Sequence, residues 1–126
     1  MSQVVVIKTQ MMEKTFLARA LQDLGYTLQQ GPLRLRGPLV TGVEVECNLT
    51  TPSGHEIGFR KGAQGYEILA RWNQMPDLDE ARFTQQVTQR YAYHVARSKL
   101  QEQGFSLVAE NRQADGRIHL VLRRMA

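Results

Sequence analysis

Cysteine is nearly absent from this 126-residue chain, and the single thiol at Cys47 excludes an internal disulfide and any cysteine-built zinc or iron–sulfur site. Long apolar runs are missing too. The longest, Val4 to Ile7, is far too short to cross a bilayer, and no basic stretch, apolar core and small-residue cleavage site opens the chain. These absences predict a protein of a reducing compartment without membrane insertion, cytoplasmic or the plastid-stromal equivalent. No GxSxG elbow, phosphate loop with its lysine, or GxGxxG appears; "RKGAQG" has glycines and a lysine in the wrong order. His55, His94 and His119 are scattered without an i,i+3 or i,i+4 pair, and the adjacent His55 and Glu56 point to opposite faces of a strand. The reading is therefore no catalytic residue, no metal and no cofactor.

What is present is the composition of one folded domain over residues 1–126: 42% apolar and 22% charged residues, enough for a self-sufficient core. "VVVIK" reads as a strand at the centre of a sheet. Met12, Phe16, Ala20 and Leu24, with Leu17 and Leu21, form the broad stripe of a helix packed on that sheet, with Thr9 as a cap and Gly25 as its stop. The period then changes to two. Val43, Val45, Cys47 and Leu49 alternate with Glu44, Glu46 and Asn48, and the turns "TPSGH" and "GAQG" predict a three-stranded antiparallel meander through "EIGFRK" and "YEILARW". "PDLDEARF" announces a second helix, Asp77 and Glu80 forming a capping box, that runs to Gln103; Asp115–Gly116 then turns a final hairpin. The prediction is an α+β fold, an antiparallel sheet with two helices packed on one face.

Two groups of residues are candidates for partner binding. In "RLRG", Leu33 and Leu35 turn inward and leave Arg34 and Arg36 outward; in "RIHLVLRR", Ile118, Leu120 and Leu122 turn inward and leave Arg117, His119 and Arg123 outward. If the two strands are close, their cations share one sheet face suited to phosphates or an acidic protein, although a solvated face has the same pattern. The arginines lack interleaved aromatics, which disfavours a single-strand RNA platform. The second group lies in "VTQRYAYH". Phe83, Val87, Tyr91 and Val95 share a stripe, placing Tyr91 inward and Tyr93 well round the helix. Arg90, Tyr93 and His94 are then either a structural border or a polar edge that a partner reads, and spacing leaves both open. On this reading Tyr91→Ala costs roughly 3 kcal/mol and Tyr93→Ala under half of that.

The motifs "IKTQ", "ALQDLG", "GFRKGAQGYEILARW", "VTQRYAYH", "QGF" and "ADGRIHLVLRR", in this order from Ile7 to Arg124, resemble the hypothetical chloroplast open reading frame thirty-five family of algal plastids and cyanobacteria. The resemblance implies no catalytic motif and no cofactor. It also implies a genomic setting beside a small bacterial-type ferredoxin, hence an iron–sulfur or photosynthetic context. Ferredoxins are acidic, and the net charge of +4 makes an acidic protein such as a ferredoxin a complementary partner for a non-enzymatic accessory protein. A basic nucleic-acid (RNA) binding module is the alternative.

Overall fold

The computed structural model is described over residues 4–35, 43–115 and 117–124, with the backbone alone considered at 32–35 and 43. Seven strands and two α-helices are described: β1 (Val5–Lys8), α1 (Lys14–Asp23), β2 (Gln29–Leu35), β3 (Val43–Thr50), β4 (Glu56–Lys61), β5 (Tyr66–Ala70), α2 (Glu80–Glu102), β6 (Phe105–Arg112) and β7 (Ile118–Arg124). A short 3-10 turn at Trp72–Gln74 joins β5 to α2. The first five strands form one sheet in the order β1-β5-β4-β3-β2, and β6 and β7 form a separate two-stranded sheet. Every pairing is antiparallel. The predicted meander is β3–β4–β5.

The core lies between one face of the large sheet and the two helices. Cys47, Leu49, Ile57, Phe59, Tyr66 and Ile68 from the sheet meet Leu17, Ala20 and Leu21 of α1 and Phe83 and Val87 of α2. Ring contacts tie this layer together: Trp72 and Tyr26 lie 5.7 and 5.8 Å from Phe83, the second edge-on. Both helices end at a left-handed glycine. Gly25 and Gly104, at φ +90° and +89°, donate backward to Gln22 and Gln101 and turn the chain toward β2 and β6.

Several local expectations give way to tertiary demands. "VVVIK" forms an edge strand rather than a central one, which leaves Val5 and Val6 exposed. Thr9 does not cap α1. Its hydroxyl donates to the Tyr66 carbonyl and accepts from the Met11 amide, fixing the crossing from β1, while Glu13 occupies the cap position. Met12 accordingly precedes the helix and is exposed, and Met11 takes the buried place. α2 begins at Asp79, whose carboxylate accepts from the Arg82 amide, and Asp77 is engaged elsewhere. The strict alternation of β3 breaks at Glu46. Its carboxylate accepts the Lys61 amide in place of a ladder bond, and Val45 joins a separate small cluster with Leu69.

Candidate interaction surface

The final hairpin follows from its sequence alternation. Along β7, Ile118, Leu120 and Leu122 are partly buried, while His119, Val121 and Arg123 are exposed. Arg117, whose amide precedes the strand, shares their parity and is also exposed. The register sets Ser106 opposite Arg123, Ala109 opposite Val121 and Asn111 opposite His119. Val108 is the extra residue where the register slips between Leu107 and Ala109, so it stands out of the strand beside Val121. These two valines are 59% and 46% exposed. The tip is closed by the Gln113 amide donating to the Arg117 carbonyl. Asp115 accepts both the Arg117 amide and an ion pair from its guanidinium at 2.6 Å.

The outward parity of Arg117, His119 and Arg123 is therefore as the sequence implies, but among the described residues the strand that carries Arg34 is not a neighbour of β7. β2 is the far edge strand of the large sheet and β7 belongs to the other sheet. Arg34 is registered opposite Glu44, and Arg36 lies outside the described residues. A sequence pattern shows which way a residue points along its own strand, and it carries no record of which strands become neighbours.

Arg90, Tyr93 and His94 are brought together, but inside the molecule. The Tyr93 side chain is buried at 7% exposure and donates from its hydroxyl to Glu110 Oε2 of β6 at 2.7 Å. Arg97 donates to the same hydroxyl at 3.2 Å, and the Arg90 guanidinium lies 4.3 Å above the Tyr93 ring. Arg90 also reaches α1: its Nε donates to Asp23 Oδ2 at 2.9 Å, and His94 Nε2 meets that oxygen at 2.6 Å. Burial pushes the Asp23 carboxyl up, and the hydrogen bonds and charges of His94 and Arg90 outweigh it, so the group sits below its ordinary value. Burial and the Glu110 carboxylate push the Tyr93 hydroxyl upward. The cluster is a clasp that ties α1, α2 and β6 together. Periodicity places Tyr93 well round the helix from the Tyr91 stripe, and α2 buries two surfaces: Phe83 and Val87 toward the sheet, Tyr93 toward the hairpin. Tyr91 does pack against the core, and its hydroxyl accepts the Met12 and Glu13 amides at 3.0 and 2.9 Å.

One cluster escapes a reading of spacing altogether. Ser53 Oγ lies 2.8 Å from both Asp77 Oδ1 and His55 Nδ1 and 2.9 Å from Thr51 Oγ1, joining the β3–β4 turn to the approach to α2. Its residue types are those of a hydrolase triad, and its wiring differs. The single hydroxyl proton goes to the carboxylate, which can only accept, so His55 Nδ1 must donate to Ser53 rather than take its proton. The Ser53 hydrogen bond holds the Asp77 carboxyl below its ordinary value. Only the turn signal "TPSGH" is visible in sequence, because Asp77 is 24 residues away. An open cleft of about 860 Å³ is lined by Thr84, Gln85, Thr88 and Gln89 of α2, with Asp79 and Glu80 at the start of that helix and Asp115 and Arg117 at the hairpin tip. Among the described residues no group of three potential ligands for a metal ion converges, and no helix is long and apolar enough to cross a membrane.

Comparison with known proteins places this architecture. Residues 20–121 match the family described as "Protein of unknown function (DUF1257)". The chain belongs to that family. This member of the DUF1257 family is 28% identical over 127 aligned positions to "Uncharacterized protein ycf35" of Cyanophora paradoxa, and 27% identical to the protein of the same description from Pyropia yezoensis. Each alignment covers 98% of both chains. The resemblance carried by the motifs from Ile7 to Arg124 is thus shown over nearly the whole length. No solved structure matches the chain.

Proposed function

We propose that this chain is a non-enzymatic accessory protein that docks an acidic protein partner, a ferredoxin of iron–sulfur or photosynthetic metabolism being the kind of partner its family resemblance implies. The supporting observation is where the positive charge is carried. The hairpin from Phe105 to Arg124 holds four arginines against two carboxylates, half of the chain's surplus of four charges. Of those carboxylates, Glu110 is turned toward the clasp and Asp115 is paired with Arg117. Such a surface accelerates encounter with an anionic partner and loses it as salt screens the attraction, over a Debye length of roughly 8–10 Å at physiological ionic strength. The proposed role needs no reacting group, which fits Cys47 buried in the core and Ser53 with its proton committed to Asp77.

The test is affinity capture by the tagged full chain from host lysate at low salt, with and without nuclease, followed by elution in rising salt. Recovery of an acidic ferredoxin or related iron–sulfur protein that survives nuclease supports the proposal. Recovery of nuclease-sensitive RNA–protein material in its place overturns it in favour of phosphate binding by the same arginines.

A further inference from the structure

The structure holds a second observation on the same hairpin that its charge does not require: an apolar centre on the outward face. Building on the acidic-partner reading, we infer that this face is the docking surface itself, and that it fits a protein epitope with an aliphatic or aromatic knob ringed by carboxylates. Val108 and Val121, with Ala109 between them on the outer row, form the centre. Arg123 and Ser106 lie at one end, and His119, Asn111 and Arg117 at the other.

Three physical points select this occupant. First, the β-bulge builds two adjacent apolar residues, Val108 and Ala109, into the outward face. Alternation from the outward Ser106 puts Val108 outward and would turn Ala109 inward, and the bulge sets both adjacent residues outward opposite Val121. Second, a two-stranded sheet is at best marginal alone, and this one is held to α2 by its other face, through Glu110, Tyr93 and the partly buried leucines. The outward valines are therefore spare to its own anchoring, and they are displayed on a braced platform. Third, the frame of arginines sets the partner's sign. A second copy of the same face across a twofold axis would oppose arginine to arginine, whereas carboxylates around an apolar contact give both complementarity and a desolvated centre. A single-stranded nucleic acid would stack on aromatics, and the centre here is aliphatic.

Because Cys47 is fully buried, Val121→Cys places one accessible thiol on the chain, and a benzophenone maleimide attached there reports what the face touches. Thr50→Cys, exposed in β3 of the other sheet, serves as the control. The labelled full chains are irradiated in nuclease-treated host lysate at low salt, and cross-linked partners are identified by mass spectrometry. The expected result is an acidic protein joined at position 121 and not at 50. Its retention should fall at least tenfold, with a shallower salt dependence, when Arg117→Glu and Arg123→Glu are combined. Val108→Ser with Val121→Ser should weaken retention while leaving the salt dependence unchanged, which separates the apolar centre from the charged frame. All these side chains are exposed, and an unchanged unfolding midpoint verifies the fold. If the wild-type chain retains an acidic protein but the labelled variants cross-link it equally at 121 and 50, or if the double reversal leaves retention intact, the docking face is wrong and the acidic-partner reading stands. If wild-type chain retains no acidic protein, both fail.

Discussion

Tyr93→Phe removes one oxygen atom and tests the clasp that carries the hairpin. The hydroxyl donates to Glu110 at 2.7 Å and accepts from Arg97 at 3.2 Å, both charge-assisted, in a residue only 7% exposed. A hydrogen bond to a charged group contributes roughly 1.5–3 kcal/mol when well buried. Glu110 retains some solvent contact and the more distant Arg90 Nη1 at 3.7 Å, so the net loss should be about 1–2 kcal/mol. For a domain of this size that lowers the melting temperature by roughly 4 °C per kcal/mol. Tyr93→Ala adds the loss of a buried ring and of the contact with Arg90, for a total of about 3–4 kcal/mol. Tyr91→Ala, whose ring is half-buried against Phe16, should cost about 2–3 kcal/mol. This order reverses the expectation from helical periodicity alone. Urea unfolding by far-UV circular dichroism, with the slope m held constant across variants, measures all three. A Tyr93→Phe change within a few tenths of a kcal/mol of wild type, or a Tyr93→Ala cost below half that of Tyr91→Ala, would refute the clasp.

Asp23 has a folded-state pKa below its ordinary value, so its contribution is present above the unfolded value near 3.9 and is lost as pH falls through the folded one. Asp23→Asn should therefore destabilise at pH 7, and the gap between the two urea midpoints should close below about pH 4; a gap independent of pH contradicts the pairing with Arg90 and His94. Burial pushes the Cys47 thiol up to about 11, so a disulfide reagent at pH 8 should react with it only on unfolding, and labelling at the rate of a free thiol would place Cys47 outside the core. At Gly65, φ is +148° and an added Cβ would lie 2.5 Å from the Thr9 carbonyl oxygen, so Gly65→Ala should cost at least roughly 2 kcal/mol in urea unfolding; a neutral effect would refute the close approach of β5 to the end of β1.

What the sequence made legible was local. The β3–β4–β5 meander, the stripe Phe83–Val87–Tyr91 and the in–out alternation of β7 were readable because periodicity and turn residues act over a few positions. Partnerships between distant segments were not readable. "VVVIK" has the composition of a central strand, yet among the described residues it pairs with β5 alone, and nothing in its composition encodes a place at the end of the sheet. The burial of Tyr93 was not readable because a second packing surface reaches α2 from a hairpin that follows it in the chain. Arg34 and Arg123 carry the same outward sequence pattern, and their strands belong to different sheets. Asp77 offers the cap chemistry of a helix start, but Ser53 claimed it from a turn formed earlier in the chain.

The most direct test of the account is a titration of the isotopically labelled full chain with a purified acidic ferredoxin from the same host at low ionic strength, followed by amide chemical shifts. The account predicts perturbations concentrated at Val108, Ala109, His119, Val121 and Arg123 that fade as salt is raised to physiological strength, with the α1 and α2 amides unmoved. Perturbations absent at every ratio, or centred on the α2 groove at Thr84 and Thr88, would contradict it.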